Sequence, residues 1–186
     1  VFTYHLVNWL IHLGAAWLVY LLGRMLHGKR QGALAGALIF ALHPLAAEPV
    51  NYISSRSESL AALFYLTAFW GYVRWREGGV PGMGFVALAA YACGILTKSI
   101  AIVLPVALLA YERWGAVREH RKRFWLLQGG FWALTGLYLL LARSWLNEAL
   151  RVPVRDWGEQ WATQAKAALY YATLVVSPID LSVEHP

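Results

Sequence analysis

The residues most suited to chemistry lie in a short stretch between two strongly apolar runs. Positions 40–60 combine a histidine, two acids, an arginine, an asparagine and two prolines: His43, Pro44, Glu48, Pro49, Asn51, Arg56 and Glu58. Arginine binds phosphate through its planar fork, and a carboxylate can orient hydroxyl groups, bind a divalent metal or act as a base. Ionisable groups set among apolar residues are costly and usually line a cavity or a site. This stretch is therefore the first candidate for a binding site.

Two further polar groups interrupt apolar sequence. His5, Asn8 and His12 are spaced three and four residues apart, so in a helix they share one face. Lys98 stands between two apolar runs and can bind phosphate as a point charge. The complete set of predicted substrate-binding residues is Arg56, Glu58, Glu48, Lys98, His43, Asn51, His5, Asn8 and His12. The spacing predicts no zinc site, since no third ligand is suitably placed, whereas a divalent cation at the carboxylates stays open.

Each group also has an explanation without a ligand. Arg56 and Glu58 could be solvated at the start of a helix, and Glu48 could lie in an ordinary exposed loop. The face that carries the two histidines could hydrogen-bond to neighbouring helices. Lys98 could extend its charge to the membrane surface. The convergence of these groups on one side of a membrane favours a site.

Composition places these residues in a membrane protein. Hydrophobic residues make up 59% of the 186 positions, charged residues only 14%, and the mean hydropathy is +0.47. We predict a polytopic all-α protein with about six to seven membrane segments, at roughly 4–26, 31–43, 58–75, 84–97, 100–111, 124–146 and 163–176. The net charge of +6 follows membrane topology, so no nucleic-acid partner is predicted. We expect one transmembrane domain over 1–186, as a fragment of a longer chain.

The charges of the connections predict orientation. Basic residues concentrate at 23–31, 74–76 and 113–123, whereas Glu48, Glu58, Glu148, Asp156 and Glu159 lie in or next to the connections at 43–57 and 146–162. By the positive-inside rule the basic connections are cytoplasmic, and the loops at 43–57, 98–100 and 146–162 face outward.

Two helix breaks are expected below the outer surface. One uninterrupted helix over 84–111 would be about 42 Å long and would place Lys98 near the bilayer centre. We therefore predict a break at Lys98 and a second one at His43-Pro44. Broken helices at membrane depth are buried in protein or line a water-filled cavity. The two breaks predict one outward-facing cavity.

At these residues the chain resembles a known family. The pattern runs through His5-x2-Asn8-x3-His12, His43-Pro44-x3-Glu48, Arg56-x-Glu58, Leu96-Thr97-Lys98 and Ser177-Pro178-Ile-Asp180. It is similar to the membrane domain of the transmembrane-and-tetratricopeptide-repeat O-mannosyltransferases and their bacterial relatives, which are GT-C glycosyltransferases. The resemblance implies an integral-membrane enzyme that transfers a sugar from a polyprenyl-phosphate donor to a protein or glycan. It places the catalytic base in an acidic outer loop upstream of Val1, so no catalytic residue is assigned here.

Two kinds of function stay open. In an enzyme, Arg56 and Lys98 would hold the phosphate leaving group, and Glu48 and Glu58 would orient the sugar or the groups around the base. The alternative is a non-catalytic scaffold or accessory subunit of a larger membrane complex. Ser99 favours it, because the resembling family usually carries Glu after this lysine. Both alternatives imply contact with membrane lipid, and we expect a bacterial inner membrane.

The predicted orientation can be tested by cysteine labelling in intact cells, with Cys93 removed. Cysteines at Gly28, Gly79 or Glu119 should resist an impermeant thiol reagent, because they lie in basic, cytoplasmic connections. Cysteines at Ala47 or Glu159 should react. Labelling of a cysteine at Glu119 from outside would mean that 84–111 crosses the membrane once as a single helix. This result would contradict the break at Lys98 and the predicted cavity.

Overall fold

The computed structural model of the chain describes residues 2–46, 55–78, 80–114, 121–151 and 156–177. Within these ranges every regular element is helical, which confirms the all-α prediction. The α-helices are α1 (Phe2–His27), α2 (Arg30–Leu42), α3 (Arg56–Gly78), α4 (Met83–Thr97), α5 (Leu104–Trp114), α6 (Arg121–Leu141), α7 (Arg143–Arg151) and α8 (Trp157–Val176). Short 3-10 turns, Pro44–Ala46 and Ser99–Val103, follow α2 and α4.

Two helices in the described part of the chain are long and apolar enough to cross a membrane. These spans are Thr3–His27 in α1 and Phe124–Leu141 in α6, whereas Arg30–Leu42 and Met83–Thr97 are apolar but shorter. The number of six to seven membrane segments therefore stays a prediction.

Apolar side chains also cover much of the outer surface of the bundle. Leu10 is 61% exposed, Phe85 75% and Leu126 70%. Soluble monomers rarely expose large contiguous apolar patches. The surface therefore favours lipid as the surroundings of these helices.

A very short connection joins α1 and α2 into an antiparallel hairpin. Gly28 has a left-handed backbone with φ of 69°, and its N–H donates to the Arg24 carbonyl at 3.0 Å, which is a common way to end a helix. The helices then pack closely, since a Cβ added at Gly23 would lie 3.0 Å from the Ala33 Cβ. With 13 residues against 26, α2 ends about halfway along α1. The broken end of α2 therefore lies within the bundle.

Helices α3 and α4 supply most of the buried core. Tyr72 of α3 and Tyr91 of α4 are 0% and 1% exposed, and both rings pack against Phe131 of α6. Leu104 and Leu108 of α5 complete this cluster. Because the core joins four helices, it fixes the position of the start of α3 relative to the end of α4.

Both predicted helix breaks are confirmed. Helix α2 ends at Leu42, immediately before His43-Pro44, and α4 ends at Thr97, immediately before Lys98. Lys98 has an extended backbone with φ of −154°, and its N–H donates to the Gly94 carbonyl at 2.9 Å. The region 84–111 is therefore divided between two helices.

The predicted elements beyond position 124 are partly wrong. The segment 124–146 ends early, because a turn at Ala142 separates α6 from α7. The predicted outer loop at 146–162 is largely helical, since α7 reaches Arg151 and α8 begins at Trp157. Asp156 caps α8 by accepting a hydrogen bond from the Gly158 N–H at 3.3 Å. Hydropathy alone misses helices whose residues are half polar.

A buried ion pair ties α3 to α5 at the other end of the bundle. Two nitrogens of Arg76 donate to the two carboxylate oxygens of Glu112, each at 2.7 Å, and the Tyr72 hydroxyl donates to the same carboxylate at 2.7 Å. Arg76 is 2% exposed and Glu112 12%. The sequence-based orientation uses Arg76 as one of the basic residues of the connection 74–76. In the structure the Glu112 carboxylate neutralises its charge. The sequence-based prediction assigns Glu112 no role, because its partner lies 36 residues away.

Replacing Glu112 with alanine should destabilise the protein by about 3–5 kcal/mol, because it removes the carboxylate that compensates the buried charge of the Arg76 guanidinium. The matched control is Glu77→Ala, which removes an exposed carboxylate that accepts one hydrogen bond, from the Tyr111 hydroxyl at 2.9 Å. We expect the control to cost about 0.5–1.5 kcal/mol. SDS-induced unfolding in mixed micelles measures both. Equal losses would contradict a structural role for the buried pair.

Candidate functional site

Two adjoining cavities open beside the broken ends of α2 and α4. The first has a volume of about 610 Å³ and lies among α1, α2, the start of α3 and the end of α8. The second has a volume of about 690 Å³ and lies between α3 and the 3-10 turn Ser99–Val103. Phe40, Glu58 and Ala62 line both cavities. We call the two cavities and this shared wall the cleft.

An ion pair stands at the shared wall of the cleft. Lys98, at the end of α4, donates through Nζ to Oε1 of Glu58, in the first turn of α3. The side chains remain 40% and 45% exposed, respectively. Solvent-exposed pairs contribute only about 0–1 kcal/mol to stability. Both charges can therefore turn to a ligand at little cost to the fold.

The two cavities differ in the chemistry of their walls. Val19, Ile39 and Leu45 make much of the first wall apolar, as a hydrocarbon chain requires. The second cavity carries Lys98 beside Tyr65 and offers a cation to an anionic group. The cleft is thus amphipathic, with its charged part at the junction.

The histidines of the cleft are engaged with helix ends. His12 Nε2 donates to the Ala41 carbonyl at 3.1 Å, one of the final carbonyls of α2, and the ring stacks on Phe40 at 5.4 Å. His43 Nε2 lies 3.1 Å from the Val175 carbonyl in the last turn of α8. The Leu45 N–H donates to His43 Nδ1 at 3.2 Å, so His43 is the neutral tautomer that carries its proton on Nε2. The His12 contact supports the interhelical explanation for the face of α1 that carries it, and His43 makes a similar contact between α8 and the end of α2.

Arg56 lies beside the cleft rather than in its wall. Its Nε donates to Oδ1 of Asn8 at 3.0 Å, and its guanidinium lies 5.3 Å from the centre of the Tyr4 ring. The Asn8 amide that accepts this hydrogen bond is fully buried on α1. Nη2 is buried and has no hydrogen-bond partner among the described residues. The guanidinium therefore retains one donor group for a further partner.

The predicted site residues are only partly brought together. His12, His43, Glu58 and Lys98 line the cleft. Asn8 and Arg56 pair next to it, and His5 is half-buried on α1. Glu48 and Asn51 lie outside the described residues. Across the described ranges no three His, Cys, Asp or Glu side chains gather as a metal site, so a divalent cation stays a prediction.

The family of the chain is shown by comparison. A family model for dolichyl-phosphate-mannose-protein mannosyltransferases matches residues 2–146. The chain therefore belongs to this family, which confirms the GT-C-type relationship inferred from the motifs at positions 5–12, 43–58 and 96–98. No solved structure matches the chain.

Individual relatives of the chain carry names that agree with this family. The protein O-mannosyl-transferase Tmtc1 of Drosophila melanogaster is 34% identical over 99 residues, which cover 53% of this chain and 12% of the fly protein. The protein O-mannosyl-transferase TMTC1 of Mus musculus is 31% identical over 132 residues, 65% of this chain and 14% of the mouse protein. The chain thus spans a small part of the relatives that it matches.

The two polar contacts of the site should differ in their effect on stability. Asn8→Leu should destabilise the protein by about 1.5–3 kcal/mol, because it removes the hydrogen-bond acceptor from the Arg56 guanidinium. Lys98→Gln should cost about 1 kcal/mol or less, because its ion pair is exposed. The two variants are compared by SDS-induced unfolding. An equal loss for Lys98→Gln would indicate a structural ion pair that is not free to bind a ligand.

Proposed function

We propose that this chain forms part of an integral-membrane glycosyltransferase that binds a polyprenyl-phosphate-linked sugar in the cleft. The sugar is transferred to a protein or glycan acceptor on the outer side of the membrane. Membership in the mannosyltransferase family supports glycosyl transfer as the reaction class. The names of the fly and mouse relatives support a protein acceptor and mannose as the sugar.

The amphipathic cleft is the observation that carries this proposal. A polyprenyl-phosphate sugar combines a long hydrocarbon chain, a phosphate and a polar sugar. The apolar first cavity fits the hydrocarbon chain, and Lys98 at the junction fits the phosphate. The sugar then lies near Glu58, whose carboxylate accepts hydrogen bonds from hydroxyl groups.

Transfer requires that a bond forms between the acceptor oxygen and the anomeric carbon while the bond from that carbon to the phosphate oxygen breaks. A base removes the proton of the acceptor hydroxyl, and polyprenyl phosphate leaves as an anion. Lys98 stabilises the charge that develops on the phosphate. Nη2 of Arg56, which is buried next to the cleft and has no hydrogen-bond partner among the described residues, supplies a second donor to a phosphate that extends to the side of α1.

The two long apolar helices and the exposed apolar surface support a membrane location. The relatives described above are animal proteins. They lend no support to a bacterial inner membrane, which remains a prediction from the sequence.

A non-catalytic scaffold or accessory subunit is the second candidate function. It is favoured by Ser99, which is exposed in the 3-10 turn after Lys98 and carries no carboxylate for an acceptor or a metal. In that role the Glu58–Lys98 pair would only join α3 to α4.

Thermal unfolding of the full-length protein in nanodiscs, with and without dolichyl-phosphate mannose, separates the two functions. We expect the ligand to raise the unfolding temperature of the unmutated protein by linkage. Lys98→Gln and Arg56→Lys should each weaken binding by about 1.5–3 kcal/mol, or about 10- to 150-fold. Lys98→Gln removes a charge-assisted contact to the phosphate, and Arg56→Lys removes the Nη2 donor. Dolichol without phosphate should stabilise the protein less.

Lys29→Gln provides the matched control, because it removes an exposed cation at the opposite end of α2. Its ligand response should equal that of the unmutated protein. An absence of any ligand-dependent shift in the unmutated protein would count against donor binding and favour the scaffold. If Arg56→Lys leaves the ligand-dependent shift unchanged and Arg56→Ala lowers the unfolding temperature without ligand, Arg56 has only a structural role.

A further inference from the structure

Helix α7 is a short element that follows directly on a candidate membrane span. The span Phe124–Leu141 ends at the turn formed by Ala142, and α7 then runs over Arg143–Arg151. Its nine residues give a length of about 14 Å, too short to cross a hydrocarbon core of about 30 Å. The helix therefore needs a different environment from that of α6.

The polar and apolar residues of α7 lie on opposite sides. At about 100° per residue, Arg143, Ser144, Asn147 and Glu148 fall within an arc of about 140°, and Trp145 and Leu146 occupy the other side. Trp145 is 85% exposed and Leu146 47%. The described part of the chain therefore leaves Trp145 almost fully exposed and Leu146 about half exposed.

We propose that α7 lies flat in the membrane interface, with Trp145 and Leu146 inserted among the acyl chains and Arg143 beside lipid phosphates. Segregation of polar and apolar residues on a helix with low overall hydrophobicity is typical of interfacial helices. Tryptophan prefers the headgroup level of a bilayer because its ring is apolar and its N–H is polar. The proposal is independent of glycosyl transfer and requires only that α6 spans the membrane.

The position of α7 favours lipid over a protein partner as the occupant. A single turn residue separates it from α6, so a membrane-spanning α6 delivers α7 to the level of the headgroups. Leu140 and Leu141, the last residues of α6, are 64% and 73% exposed, and they continue the apolar surface up to Trp145. The cation of Arg143 matches the charge of the phosphates at that level.

Spin labels on single cysteines test the proposal in the full-length protein without Cys93. The labels are placed at Ser144, Trp145, Leu146 and Asn147, all exposed positions where a label leaves the packing intact. The protein is reconstituted into phosphatidylcholine–phosphatidylglycerol vesicles, and collisions are measured with oxygen, which enters the bilayer, and with a water-soluble nickel chelate. The oxygen-to-nickel ratio should be severalfold higher at 145 and 146 than at 144 and 147.

A label at Leu140 serves as the reference for a lipid-facing site, and we expect it to favour oxygen. Nickel-dominated collisions at all four α7 positions would place the helix in water and overturn the proposal. Shielding of 145 and 146 from both reagents would show that protein covers this side, which also overturns it. Nickel-dominated collisions at Leu140 would show that the end of α6 lies in water. The proposal requires a membrane-spanning α6, so this result would also overturn it.

Discussion

Helices that end inside an apolar bundle leave backbone carbonyls without partners, and the site is built around the groups that satisfy them. Helix α2 stops halfway along α1, and His12 donates to its Ala41 carbonyl. Helix α8 ends against His43, which donates to the Val175 carbonyl. The His12 contact is partly buried, where an unpaired carbonyl would cost free energy comparable to a lost hydrogen bond, whereas the His43 contact is exposed to solvent. The two histidines thus join the ends of α2 and α8 to neighbouring elements, and both rings line the first cavity.

The two ends of the bundle use charge in different ways. Arg76 and Glu112 form a bidentate, almost fully buried pair, further fixed by the Tyr72 hydroxyl. Glu58 and Lys98 form a single contact that stays about half exposed. Removing one partner of a buried pair is expensive, whereas an exposed pair contributes little. The end with the buried pair is therefore structural, and the end with the exposed pair is suited to an exchange of partners with a ligand.

The proposed donor site depends on this division of roles. A lipid-linked sugar phosphate needs an apolar channel that meets a cation, and the cleft joins these where Phe40 and Glu58 line both cavities. The family of the chain agrees with such a ligand. Interfacial placement of α7 would add a surface contact that fixes the depth of α6 in the bilayer, and hence the level of the helices packed against it.

The sequence by itself determined the helical class, the two breaks and the family. Apolar composition and periodicity are local properties, and proline at position 44 and lysine at 98 interrupt them wherever the rest of the chain lies. Only the tertiary structure decided which polar residues pair. Asn8 with Arg56, Glu58 with Lys98 and Arg76 with Glu112 join residues 48, 40 and 36 positions apart. Such pairings follow from how helices cross, which no local pattern encodes, and so the tertiary structure alone separated the buried ion pair from the exposed one.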